Sequence, residues 1–439
     1  MRRKISLRGS FALSAFLFSE GQAATFQFQT RTPFARTLDG ETLMLSTQAP
    51  PASSAFRSQL PQAAHGQLKF GAEDAFYREL RRRVEEFFEQ TGRRQRDCPR
   101  MYVKTAIILT WFAASYALLV FAAASWWLAV PLGISLALSM AAIGFNIQHD
   151  GGHGAYSRLP WVNKLMALTL DLLGGSSYGW DRKHNVMHHT YSNIAGHDDD
   201  IDIGVFGRVS PHQPRYAFHR FQHFYLWFLY GLLPLKWQVY DDFRDAITGR
   251  NGGQPYPRPK GWNLAGFLGG KAVFFSLALL IPLLLHPVGI VLAGYVAVTF
   301  VQGLALSFVF QLPHCGDQAA FPAPDEETGR MEAPWAVHQV QTTVNYAQRN
   351  PVVTWYVGGL NYQIEHHLFP RICHVNYPAI SPIVEATCHE FGIQYKAHKT
   401  FRAALASHFR QLRRMGREDS PSDETPQCSD GTTVARATP

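Results

Sequence analysis

The chain is 439 residues long, with 46% hydrophobic, 13% aromatic and only 17% charged side chains, where an ordinary soluble domain carries about a quarter charged. Disorder throughout, a collagen-like fibre and a disulfide scaffold are excluded, the last because five cysteines cannot staple so long a chain. The formal net charge of +8 reads as membrane topology and not as nucleic-acid binding, since no basic stripe interleaved with stacking aromatics accompanies it.

Residues 1–68 are rich in Ser, Gln, Ala and Pro and carry no sustained period, which predicts a disordered extension. Arg2-Arg3-Lys4, the apolar stretch Phe11 to Phe18 and Gln22-Ala23-Ala24 resemble a short signal peptide. Cleavage after export would, however, put the Arg-rich segment that follows on the wrong side of the membrane. A translation start placed too early, with Met44 as a later candidate, accounts for the pattern as well. From Glu73 to Gln90, Phe76, Leu80, Val84, Phe87 and Phe88 recur at helical spacing, predicting an amphipathic helix against the body or the lipid surface.

No Asp, Glu, Lys or Arg occurs from Thr105 to His149 or from Ala272 to Gly316. Each run is about 45 residues, enough at 1.5 Å per residue to cross a hydrocarbon core of about 30 Å twice. Trp126-Trp127 with Pro131 breaks the first run, and Leu285-His286-Pro287 breaks the second. The expected fold is therefore an all-α integral membrane protein with four transmembrane helices as two hairpins. Arg78, Arg81, Arg82, Arg83, Arg93, Arg94, Arg96, Arg100 and Lys104 precede the first hairpin, and neither turn carries a basic residue, so the hairpin ends are expected in the cytoplasm. Phe224 to Trp237 is short for a span and Val162 to Gly179 contains Lys164 and Asp171, so both read as interfacial or re-entrant.

The chemistry lies in the histidines. His149 and His153 sit one turn apart as the second span leaves the membrane; His184, His188 and His189 repeat the spacing with an added neighbour. His366 and His367 form a third pair, and His314 ends the fourth span. An even number of crossings between the clusters lets all eight meet on one face. Imidazole suits iron, zinc and copper, and eight such ligands are too many for one ion, so two metals are expected. HExxH and paired cysteines, the marks of zinc proteases and structural zinc, are absent. Haem ligated by two imidazoles stays a competing reading.

His149-Asp150-Gly151-Gly152-His153, His184-Asn185-Val186-Met187-His188-His189 and Gln363-Ile364-Glu365-His366-His367 resemble the three histidine boxes of the membrane fatty-acid desaturase family. The similarity covers residues 69–411, including Asn361 to Pro370 and His374-Val375-Asn376-Tyr377-Pro378. It implies a desaturase domain over 69–411 with a cytoplasmic helical cap holding two non-haem iron ions; the Ser, Thr, Asp and Pro content that follows predicts a disordered tail over 412–439. The similarity also implies use of O2 and two electrons to place a cis double bond in a fatty acyl chain, delivered as an acyl-CoA or a membrane lipid. Gln363 stands where the family usually has His, and members with Gln resemble the front-end desaturases; a delta-6, linoleoyl-type enzyme is the leading expectation. No His-Pro-Gly-Gly haem motif of a fused cytochrome b5 occurs, so the expected donor is a separate ferredoxin or cytochrome b5, and the expected location a bacterial inner membrane.

Gln363 is thus a candidate catalytic residue, as are Asp150 and Glu365, which flank box histidines and are suited to orienting them. Asp198, Asp199, Asp200 and Asp202 offer the same service but read more simply as a solvated loop, and His338 and Asn345 are lesser candidates. Cys98, Cys315, Cys373, Cys388 and Cys428 show no paired spacing. A hydroxylase or ketolase of the same metal architecture, and a haem-binding electron carrier, remain alternatives.

Overall fold

The computed structural model describes residues 68–418 except 73–74 and 252–253. Residues 1–67 of the predicted N-terminal extension, with its signal-like segment, and residues 419–439 of the predicted tail lie outside the described residues. Four helices are long and apolar enough to cross a membrane: Pro99–Phe121, Trp126–Gly152, Trp262–Leu283 and Val288–His314. They pair as the two expected hairpins, turning at 122–125 and 284–287. The first span packs on the second and the second on the fourth. Leu118, Trp127, Leu284 and Ile290 point apolar side chains outward, as a lipid-facing surface requires.

Two spans begin earlier than the charge-free runs because each accommodates a buried lysine. Lys271 Nζ donates to the Asp242 carboxylate and to the Gly174 carbonyl, both at 2.7 Å; with its charge paired internally, the third span starts at Trp262. Lys104 is likewise buried in the first span, against His374. Pro131 lies inside the second span and not in the turn, since neighbouring helices tolerate such a residue.

The two segments read as interfacial are not among the four candidate spans. Residues 160–180 form short helices, and Gln222–Lys236 is one helix packed along the fourth span. The predicted amphipathic helix runs Ala75–Thr91 and lies against the body. It buries Phe76, Leu80, Val84 and Phe88 on Ile364, Leu368, Tyr377 and Ile380, the segment carrying the third histidine box. Its arginines are largely balanced: Arg81 pairs with Glu85, Arg82 with Glu79 and Arg83 with Glu390. A short parallel strand pair joins Asn345–Tyr346 to Ala397–His398 ahead of that box. The last helix, Phe401–Met415, runs past the predicted boundary at 411.

Candidate metal centre

The histidines converge where the second and fourth spans end. Just before His149 the second span widens into a π-helix over Ile143–Gln148, and the second box lies in another over Asp181–His188; such wide turns re-aim side chains and recur at functional sites. The third box occupies the short helix Gln363–Leu368, every residue of which is buried. Two glycines let these elements close. A Cβ on Gly152 would sit 2.2 Å from the Trp180 ring, which packs against His149, His153 and His184. Gly358, at φ +64°, brings the turn before the third box against the Phe145 carbonyl, where a Cβ would be 2.2 Å away.

Two groups of imidazoles result. His149, His153, His184 and His366 form one, and His188, His314 and His367 the other, with candidate ligand atoms inside each group within 4.8 Å of one another. His189 lies between them, its ring centroid 4.6 Å from that of His366 and 4.4 Å from that of His367. All eight histidines expected from the sequence are therefore in one buried cluster.

The Nε2 atoms of His149, His153, His184, His366 and His367, and both ring nitrogens of His189, are buried with no hydrogen-bond partner. An unsatisfied buried polar group costs about 1–3 kcal/mol, and so many side by side fit a site in which metal cations take the lone pairs. Burial, reinforced by mutual repulsion, holds His153, His189, His366 and His367 well below the ordinary imidazole pKa, so each is neutral and a competent ligand at neutral pH.

Several opposite ring nitrogens are fixed. His188 Nδ1 lies 3.1 Å from both oxygens of Asp198, which is itself buried and accepts the Asn193 N–H at 2.8 Å. His367 Nδ1 is 2.7 Å from Gln339 Oε1, and His366 Nδ1 is 3.2 Å from the Tyr377 hydroxyl. An Nδ1–H donated to such acceptors leaves the Nε2 lone pair directed into the cluster. Burial opposes charge on His188, but Asp198 and Asp200 outweigh it and raise its pKa.

Gln363 belongs to the centre. Its Nε2 is 3.0 Å from His314 Nε2 and its Oε1 has no partner. Were a metal held by His314 Nε2, that nitrogen would have no lone pair for the N–H, and a turned Gln363 amide would offer its oxygen instead.

The other two acidic candidates lie elsewhere. Asp150 accepts the His374 Nδ1–H at 2.9 Å, and Glu365 accepts from Asn345 and Tyr395 at 2.8 and 2.6 Å; these carboxylates brace the chain around the boxes. Asp198, read from the sequence as loop, instead holds a box histidine, because Asn193 folds that loop inward by donating to the carbonyls of His314, Ala320 and Thr342. His338 is drawn away from the cluster by the Ser192 carbonyl, 2.9 Å from its Nε2. Gln339 carries no sequence signal, whereas His374 and Tyr377 both stand in the quoted His374-Val375-Asn376-Tyr377-Pro378 phrase, their one visible signal.

A family model described as fatty acid desaturase matches residues 124–399. The sn-1 linoleoyl-lipid 6-desaturase of Arthrospira platensis is 41% identical over 79% of this chain and 94% of its own length. The protein of the same description from Synechocystis sp. is 38% identical over 80% of this chain and 98% of its own. The acyl-lipid (8-3)-desaturase of Physcomitrium patens is 39% identical over 78% of this chain and 72% of its own.

Proposed function

The chain belongs to the fatty acid desaturase family, and from that premise we propose that it is a front-end acyl-lipid desaturase acting on linoleoyl chains at the delta-6 position. The paired groups of buried imidazoles with unpartnered Nε2 atoms are the observation that carries the reading. An all-nitrogen imidazole set with one amide oxygen, and no thiolate among the clustered histidines, suits two non-haem irons. His149, His153, His184 and His366 would hold one and His188, His314 and His367 with Gln363 the other, His189 serving between them. Iron bound there would supply the O2-derived oxidant and the two-electron capacity that unactivated C–H bonds demand.

The chain's own residues place the substrate and keep water out. Phe310 lies 6.4 Å from His184 and 6.0 Å from Phe145 by ring centroids. With Leu306, Val309 and Trp237 these rings make an apolar cluster at the histidine end of the second and fourth spans. An acyl chain laid against it would gain about 0.8 kcal/mol per buried CH2, and the depth of its seat would select the carbon pair that reacts.

We read residues 69–411 as the catalytic body, in an inner membrane with the histidines on the cytoplasmic side; the basic residues ahead of the first span favour that orientation. Electrons would come from an acidic ferredoxin or cytochrome b5. The balanced arginines of the amphipathic helix make a poor landing site for it. Arg96, which donates to the Arg371 carbonyl at 3.1 Å, makes with Arg371 and Arg158 a better one, and Arg371 repels charge on His153.

The test is gas chromatography of lipids from an expressing host fed linoleate. A triene with its new bond on the carboxyl side of the existing ones is expected. A hydroxy or keto product would assign the chain to the alternative oxygenase chemistry, and a Soret band without lipid change would support the haem carrier; the desaturase names of the relatives favour neither.

A further inference from the structure

A cleft of about 840 Å3 opens beside the start of the first span, and the metal chemistry does not use it. Arg100 and Lys104, one helical turn apart, line one side and Arg349 another, and no acidic residue lines it. Lys104 is 94% buried by its 6% exposure. Its ammonium donates to His374 Nε2 at 2.9 Å and lies 5.2 Å from the Trp355 ring. An ammonium has three N–H donors, and one hydrogen bond is made. Asp150 stands behind it, on the far side of the His374 ring. Arg100 and Arg349 make no ion pair among the described residues. Exposed Val103 and Trp355 add apolar surface to the same cleft.

Three cations, one of them buried, around an acid-free cavity at the membrane-entry end of a span form an oxyanion site with an apolar wall. We infer that this cleft binds the anionic headgroup of a membrane lipid, through Arg100, Lys104 and Arg349. The inference rests on the acyl-lipid reading above and adds to it the charge of the lipid. The cleft's His374 is hydrogen-bonded to Asp150, the chain neighbour of His149, so the cleft adjoins the first histidine box.

The test reads binding and not turnover, so it stands apart from whether the chain desaturates anything. Purified full-length protein in neutral detergent is loaded with fluorescent phosphatidylglycerol, and displacement is followed by anisotropy with dioleoyl phosphatidylglycerol, dioleoylglycerol or inorganic phosphate. The charged lipid should displace the probe at roughly tenfold lower concentration than the uncharged one, and millimolar phosphate should not displace it. Lys104→Met and Arg349→Gln should each erase the difference. Arg349 is exposed, so Arg349→Gln carries the test if the buried substitution fails to fold. Equal displacement by charged and uncharged lipid, a preference that survives Arg349→Gln and Arg100→Gln together, or displacement by free phosphate would overturn the inference.

Discussion

His188→Ala and His367→Ala each abolish the new double bond in the lipids of an expressing host, while the protein still accumulates in the membrane fraction. The two rings are 5.0 Å apart by centroid and belong to the group completed by His314. Removing either leaves two imidazoles and an amide where an ion needs more donors, and alanine offers no replacement lone pair. The spans are made by other residues, so membrane insertion should survive. Product at wild-type level from either variant would show that these histidines are not ligands.

Asp198→Asn should cost about ten- to a hundredfold in metal affinity, the usual effect of removing a partner that orients a ligand. Asparagine keeps the shape but loses the charge. Asp198 holds His188 Nδ1 and also accepts from the backbone of Asn193 and Asp200, at 2.8 and 3.0 Å. The measurement is metal retained against graded chelator, with Asp325→Asn, in an exposed turn, as the comparison. Equal retention in the two variants would return Asp198 to the role of a loop residue.

The histidine boxes were legible because their chemistry is local: a pair one turn apart declares a shared face before any fold is known, and charge-free runs declare the spans. What sequence hid was long-range. Asp198 sits in an Asp-rich run that resembles solvated loop, and only the Asn193 amide, reaching His314, Ala320 and Thr342, shows that the loop is tucked under the centre. Asp150 and Glu365 looked better placed because they adjoin box histidines in the chain, yet helix geometry turns adjacent side chains about 100 degrees apart, towards His374 and towards Tyr395. Gln339 carries no motif and Tyr377 only its place in the His374 to Pro378 phrase, and their roles become visible only when they meet His367 and His366. The span boundaries erred for a similar reason, since Lys104 and Lys271 count as polar in sequence but are buried in the fold, Lys104 against His374 and Lys271 paired with Asp242.

Metal analysis of purified full-length protein, paired with an assay of the same sample, bears most directly on whether these eight imidazoles form a two-iron centre. Two irons per chain, lost together with product formation on chelation and regained on adding ferrous iron, is the result expected. Full activity in a preparation free of iron would contradict it.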